Sequence, residues 1–156
     1  PYLVAGSAPL DEWTLELPAD RVLEVTPDRL SPVGLSDVTD VAEFDFRQPR
    51  TLGPVEIDHA FTALSRAEDG IAAVRVTDPS GTGVAISWDA VCPWAQVHTA
   101  DLPGGPAQPG HRAGLAVEPM TCAPDAFNAS RYDYDAGLVF IEPAGTVEAS
   151  WRISAI

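Results

Sequence analysis

Apolar and polar residues alternate along much of this chain, and a period of two marks half-buried strands. Leu15 and Leu17 flank Glu16 just before Pro18, and Val22-Leu23-Glu24-Val25 follows. Phe44 and Phe46 flank Asp45. Ala72-Ala73-Val74-Arg75-Val76 and Val84-Ala85-Ile86-Ser87-Trp88 stand either side of Asp78-Pro79-Ser80-Gly81, a sequence suited to a hairpin turn. Further runs are Trp94-Ala95-Gln96-Val97-His98, Leu115-Ala116-Val117-Glu118, Leu138-Val139-Phe140-Ile141 and Val147 to Ile153. The pattern predicts an all-β fold, a sandwich of about eight to ten short strands.

Residues 58–69 fit two readings. His59, Ala63, Leu64 and Ala67 would line one face of a short helix, while Val55, Ile57, His59 and Phe61 alternate as in a strand; the alternation favours the strand. The segment from Asp101 to Arg112 holds Pro103, Gly104, Gly105, Pro106, Pro109 and Gly110, so it reads as a long loop, either functional or mobile. The 15 prolines and 12 glycines are spread along the whole chain and argue against long helices. No Pro/Gly/Ser-rich break separates two self-sufficient halves, so residues 1–156 are read as one unit without an internal boundary.

Charge narrows the partners. Twenty-three acidic and nine basic residues give a net charge of −14. Such a surface repels phosphate backbones and anionic bilayers, which argues against nucleic acid and membrane partners. A neutral ligand meets no such penalty, and the acidity also serves solubility. No apolar run approaches the roughly 18 residues of a membrane helix. Residue 1 is Pro, the one Met is Met120, and no charged leader precedes Tyr2-Leu3-Val4. The sequence therefore reads as a piece of something longer or as a processed product. Cys92 and Cys122 allow one disulfide or two free thiols; two buried thiols in a cytoplasmic protein is the favoured reading.

Three segments could carry chemistry. In Leu115-Ala116-Val117-Glu118, alternation sets Leu115 and Val117 on one face and Ala116 and Glu118 on the other. Glu118 thus leaves the core face at a strand end, next to Pro119, either as a rigidly mounted proton acceptor or as an ordinary edge glutamate. Trp94, Gln96 and His98 share a face. An aromatic plane beside an amide can hold a sugar, and a core-edge Trp with solvated neighbours looks the same from spacing. Asp58, in Ile57-Asp58-His59-Ala60-Phe61, is a bidentate acceptor for vicinal hydroxyls; in a strand it points away from His59, so the two form no dyad. The sequence has no GxSxG elbow and no glycine-rich phosphate loop, and neither cysteine has an activating neighbour. His59, His98 and His111 share no metal-ligand spacing, so no cofactor or metal is expected.

Glu118-Pro119-Met120-Thr121-Cys122-Ala123-Pro124-Asp125-Ala126-Phe127-Asn128 resembles the signature around the catalytic glutamate of aldose 1-epimerases (galactose mutarotases). Ile57-Asp58-His59-Ala60-Phe61 resembles that family's sugar-binding aspartate segment, and Trp94-Ala95-Gln96-Val97-His98-Thr99 the segment of its sugar-binding glutamine. Phe44-Asp45-Phe46-Arg47 also fits, and Leu138-Val139-Phe140-Ile141 to Gly145 with Ser150-Trp151-Arg152-Ile153 is similar to its last two strands. The resemblance implies the C-terminal portion of a galactose mutarotase-like β-sandwich. It implies a catalytic Glu118, with Asp58 and Gln96 binding a monosaccharide, and interconversion of the α and β anomers of galactose or glucose without a cofactor. The family's acid is a histidine of a His-x-Tyr motif in the N-terminal half, and Pro1-Tyr2 begins where that histidine would just have passed. The missing N-terminal half is therefore an expected partner, and the piece alone is expected to be inactive or to fold poorly. His98-Thr99-Ala100-Asp101 departs from the family, where many members carry an aromatic and a glycine. The rival readings are a non-catalytic carbohydrate-binding sandwich, a sugar-phosphate-acting relative, and a glycosidase that pairs Glu118 with Asp58.

Overall fold

A computed structural model describes residues 2–156; Pro1, on which the reading of the chain as a piece partly rests, lies outside the described residues. Among the described residues, eleven strands fall into two antiparallel sheets. Six of them, β1 (Tyr2–Leu3), β3 (Ala19–Val25), β4 (Pro32–Asp37), β6 (Asp58–Leu64), β9 (Trp94–His98) and β10 (Leu115–Met120), order as β1-β10-β9-β6-β3-β4. The other five, β2 (Thr14–Glu16), β5 (Arg50–Thr51), β7 (Ala72–Thr77), β8 (Gly83–Trp88) and β11 (Trp151–Ala155), order as β11-β8-β7-β2-β5. The expected all-β sandwich is what the structure has. The segment 58–64 is a strand, as the alternation favoured.

The core lies between the sheets. One apolar cluster joins Leu3, Val22, Phe61, Val97, Leu115 and Val117 of the larger sheet to Leu15, Val74, Val76, Ile86 and Trp88 of the smaller. Period-two strands produce this arrangement directly, because each alternate side chain leaves water for the same interior. The expected hairpin is present. Val74 pairs with Ile86 across β7 and β8, and the turn closes through Gly81 N–H to Asp78 O at 2.8 Å. Gly81 has φ +88°, a conformation that other residues reach only with strain.

Two expected strands are absent and a third is shortened. Phe44 and Phe46 are buried, but they belong to a 3₁₀ turn (Ala42–Phe44) and the coil after it. Their spacing satisfies the core without a ladder, and the Arg50 guanidinium covers the Phe46 ring at 4.0 Å. Leu138 to Ile141 is irregular, and Phe140 is 85% exposed. Residues 147–150 are also irregular, and the last strand begins only at Trp151. Glu142 to Gly145 forms a tight turn, closed by Gly145 N–H to Glu142 O at 2.7 Å. The apolar stretches beside it lie along neither sheet, and a strand needs a paired neighbour to satisfy its backbone groups.

The outer face of the larger sheet positions the candidate site. Residues 121–138 cross it and bury a second apolar cluster of Leu23, Ala60, Trp94, Ala123, Ala126 and Ala136. The long 101–112 loop is tied down by Arg112, which donates to Asp101 and Asp11 at 2.7 Å each and to the Gly53 and Val55 carbonyls. Burial alone would raise the Asp101 carboxyl; hydrogen bonds from Thr99 and Arg112 outweigh it and hold the group below the ordinary carboxylate range.

Candidate functional site

Cross-strand register decides which side chains meet. Glu118 stands opposite Gln96, Gln96 opposite Ala60, and His98 opposite both Ala116 and Asp58. Directly opposed residues share a sheet face. Asp58 on β6, Gln96 and His98 on β9 and Glu118 on β10 therefore all project from the outer face. Leu115 and Val117 turn inward and are fully buried, while Glu118 is exposed, as the alternation predicts.

Three of these side chains, Asp58, Gln96 and Glu118, border a hollow of about 250 Å³; His98 does not. Val25, Leu30 and Pro124 line it with them. A space of that size suits a single small ring. Val25 ends β3 and Leu30 lies in the β3–β4 connection, and no sequence signal marked them as site residues. Pro124 lies within the segment around Glu118 that carries the resemblance, so that motif pointed to it without giving it a role.

Inside the hollow the polar groups are arranged by one another. Gln96 Nε2 donates to Asp58 Oδ1 at 2.7 Å. This fixes the amide orientation and leaves Gln96 Oε1 buried without a protein partner. A buried amide oxygen without a partner costs free energy until a donor reaches it. Asp58 Oδ2 lies 3.7 Å from His98 Nδ1, which is itself buried and unpartnered. Among the described residues that line the hollow, the only charged side chains are Asp58 and Glu118, and both are acidic.

One expectation about this region changes. Trp94 is on the expected face but is buried beneath residues 121–138, with Tyr134 tilted over it at 5.9 Å between ring centroids. It packs the second cluster and offers no open plane for stacking. Burial, then Tyr132, Asp125 and Asp133, pushes the Tyr134 hydroxyl up to about 12. His59 points to the opposite side from Asp58, as expected, and packs on Phe44 at 4.4 Å. Burial holds its imidazole below the usual histidine value, against the opposing pull of Asp58, Glu43 and Glu24. Cys92 is buried and Cys122 half-buried; both are free thiols. Burial raises the Cys92 thiol, which keeps it protonated and unreactive. No group of described residues has the makings of a metal centre, and no helix among them is long and apolar enough to cross a membrane.

No family model matches the chain. Over 130 residues it is 31% identical to YihR of Escherichia coli K12, an uncharacterized protein; the match covers 83% of this chain and 37% of YihR. Among solved structures it is similar to a GalM/aldose epimerase homologue from C. elegans, with a TM-score of 0.59 and 22% identity over 76% of this chain and 39% of that one. It is also similar to a candidate aldose 1-epimerase from E. coli K12, with a TM-score of 0.65 and 17% identity over 95% of this chain and 48% of that one. At these identities the structures establish the fold: the chain has the β-sandwich of aldose epimerase homologues. It spans less than half the length of the relatives it matches.

Proposed function

We propose that this chain is the C-terminal part of an aldose 1-epimerase domain and supplies that domain's base and two of its sugar-holding groups. The observation that carries the reading is the convergence of Asp58, Gln96 and Glu118 on one hollow from three adjacent strands. The shared fold supports it, as does the motif around Glu118.

Glu118 is the exposed member of the three and sits on a strand whose neighbouring side chains are locked in the core. Its carboxylate takes the proton from the C1 hydroxyl of a pyranose. An acid gives a proton to the ring oxygen, the C1–O5 bond breaks, and the aldehyde forms. Rotation about C1–C2 presents the other carbonyl face. The O5 hydroxyl then attacks C1 and returns its proton to the former acid, while the new C1 oxygen takes back the proton held by Glu118. No net proton or electron is exchanged, so no cofactor is required. Asp58 accepts from vicinal sugar hydroxyls, and Gln96 Oε1 accepts from one more.

No histidine, lysine or arginine is among the described residues lining the hollow. The acid is therefore assigned to the N-terminal half of the same domain, a partner segment that would also cover exposed Phe127, Phe140 and Trp151. A binding-only sandwich draws on the same absence of an acid. A glycosidase would need Asp58 as its second carboxylate, yet one oxygen of Asp58 is already held by Gln96. Polarimetry of fresh α-galactose with the full-length protein separates these readings. Epimerase activity brings the rotation to its endpoint faster than buffer does; unaccelerated drift overturns the proposal.

A further inference from the structure

Leu30 stands in a backbone conformation that leucine rarely takes. Its φ is +53°, in the left-handed region where glycine or asparagine is favoured. The hairpin between β3 and β4 requires that conformation. Thr26 N–H donates to Ser31 O and Leu30 N–H to Thr26 O, both at 2.9 Å, and Ser31 N–H reaches Thr26 Oγ1 at 3.2 Å. These bonds close a tight loop whose last residue turns left-handed to rejoin the sheet.

Core packing does not account for a leucine there. The side chain is 43% exposed and belongs to neither apolar cluster. It lines the hollow instead. Among the described residues that do so, only Leu30 and Pro124 lie off the strands, and only Leu30 has a positive φ. Backbone outliers of this kind concentrate at binding sites, where a side chain is kept against the local preference for glycine.

We propose that Leu30 is a specificity-determining residue whose side chain covers the hydroxyl-free face of the bound pyranose. This role presupposes the epimerase reading of the same hollow. Val25, Leu30, Met120 and Pro124 supply an apolar lining, set against the acceptors of Asp58, Gln96 and Glu118. A pyranose divides in the same way, with hydroxyls around its edge and C–H bonds over its faces, so each part meets its like. Galactose directs its axial 4-hydroxyl to one face and leaves only C–H bonds at C3, C4 and C5 on the other. That second face packs on Leu30 without stranding a polar group. Gulose, the C3 epimer, turns its 3-hydroxyl onto that face, where leucine offers no partner. Leu30 therefore favours galactose over gulose.

The test is calorimetric titration of the full-length protein with 1,5-anhydrogalactitol and with its C3 epimer. Both lack the anomeric hydroxyl, so they bind without reacting. Leu30→Gly weakens the first about three- to tenfold, the worth of covering part of one leucine side chain, and leaves the second nearly unchanged. Equal losses for the two ligands, or no loss for either, overturn the proposal. Leu30→Asn suits the left-handed turn without glycine's added freedom and shows the same selective loss. A loss in Leu30→Gly that Leu30→Asn does not share would trace the effect to a stiff turn and overturn the proposal. The urea midpoint of Leu30→Gly stays level or rises, because glycine relieves the strained backbone; a lower midpoint with unchanged affinities would make Leu30 a folding residue and overturn it too. Absence of mutarotation would sink the epimerase reading, while the two affinities still decide what Leu30 does.

Discussion

Gln96 Nε2 reaches across the β6–β9 pair to Asp58 Oδ1 at 2.7 Å, and this leaves the amide's own oxygen buried without a protein partner beside the hollow that Glu118 also lines. The bond sets the polarity of the site. Under the proposed epimerase reading, the remaining acceptors of the pair meet the hydroxyl donors of a sugar.

Breaking that bond should weaken binding more than folding. Gln96→Leu removes the donor to a charged group, an interaction of about 1.5–3 kcal/mol, and leaves no amide acceptor for the sugar. KM for galactose should rise roughly ten- to a hundredfold in the full-length protein, with urea midpoints nearly unchanged because Asp58 remains partly solvated. Steady-state kinetics and denaturation of the same variant check the two halves.

Core and surface apolar residues should separate cleanly. Leu115→Ala opens a cavity between the sheets and should cost about 2–5 kcal/mol. Phe140→Ser changes a residue that is 85% exposed and should alter stability by under about 0.5 kcal/mol, while reducing self-association. Urea unfolding and light scattering test the contrast. A large loss from Phe140→Ser would mean that residues 138–141 are packed as a strand after all.

Acid should destabilise the chain in two separate windows. His59 is held neutral by burial, so the unfolded chain binds more protons below about pH 6.5, and stability falls from there down to the depressed folded value. Asp101 is depressed by Thr99 and Arg112, so its contribution is complete above the unfolded carboxylate value of about 3.9 and is lost as pH falls toward the folded one. His59→Phe should flatten the first window only. Arg112→Ala should flatten the second and loosen residues 101–112, which hydrogen exchange would detect.

Strand alternation located the faces and the strands legibly. Glu118 outward with Leu115 and Val117 inward, Asp58 opposed to His59, and the 78–81 turn all follow from a period of two and turn chemistry. What the pattern could not carry was pairing. Gln96 meets Glu118 on one side and Ala60 on the other because of sheet order, a long-range property absent from local spacing. The same gap explains the failures. Phe44 and Phe46 alternate as strand residues do, yet a 3₁₀ turn places both in the core. Trp94 has the spacing of a stacking platform, but residues 121–138 fold over it. Leu138 to Ile141 has strand composition and no neighbour to pair with.

The central claim is that Glu118 moves the anomeric proton. The direct measurement is exchange spectroscopy between the α and β anomeric protons of galactose in the presence of the full-length protein, wild type against Glu118→Gln. Glu118 is exposed, so the substitution should leave folding intact, keep the sugar bound through Asp58 and Gln96, and cut the exchange rate about 10²–10⁴-fold. Exchange at the wild-type rate in Glu118→Gln would contradict the account.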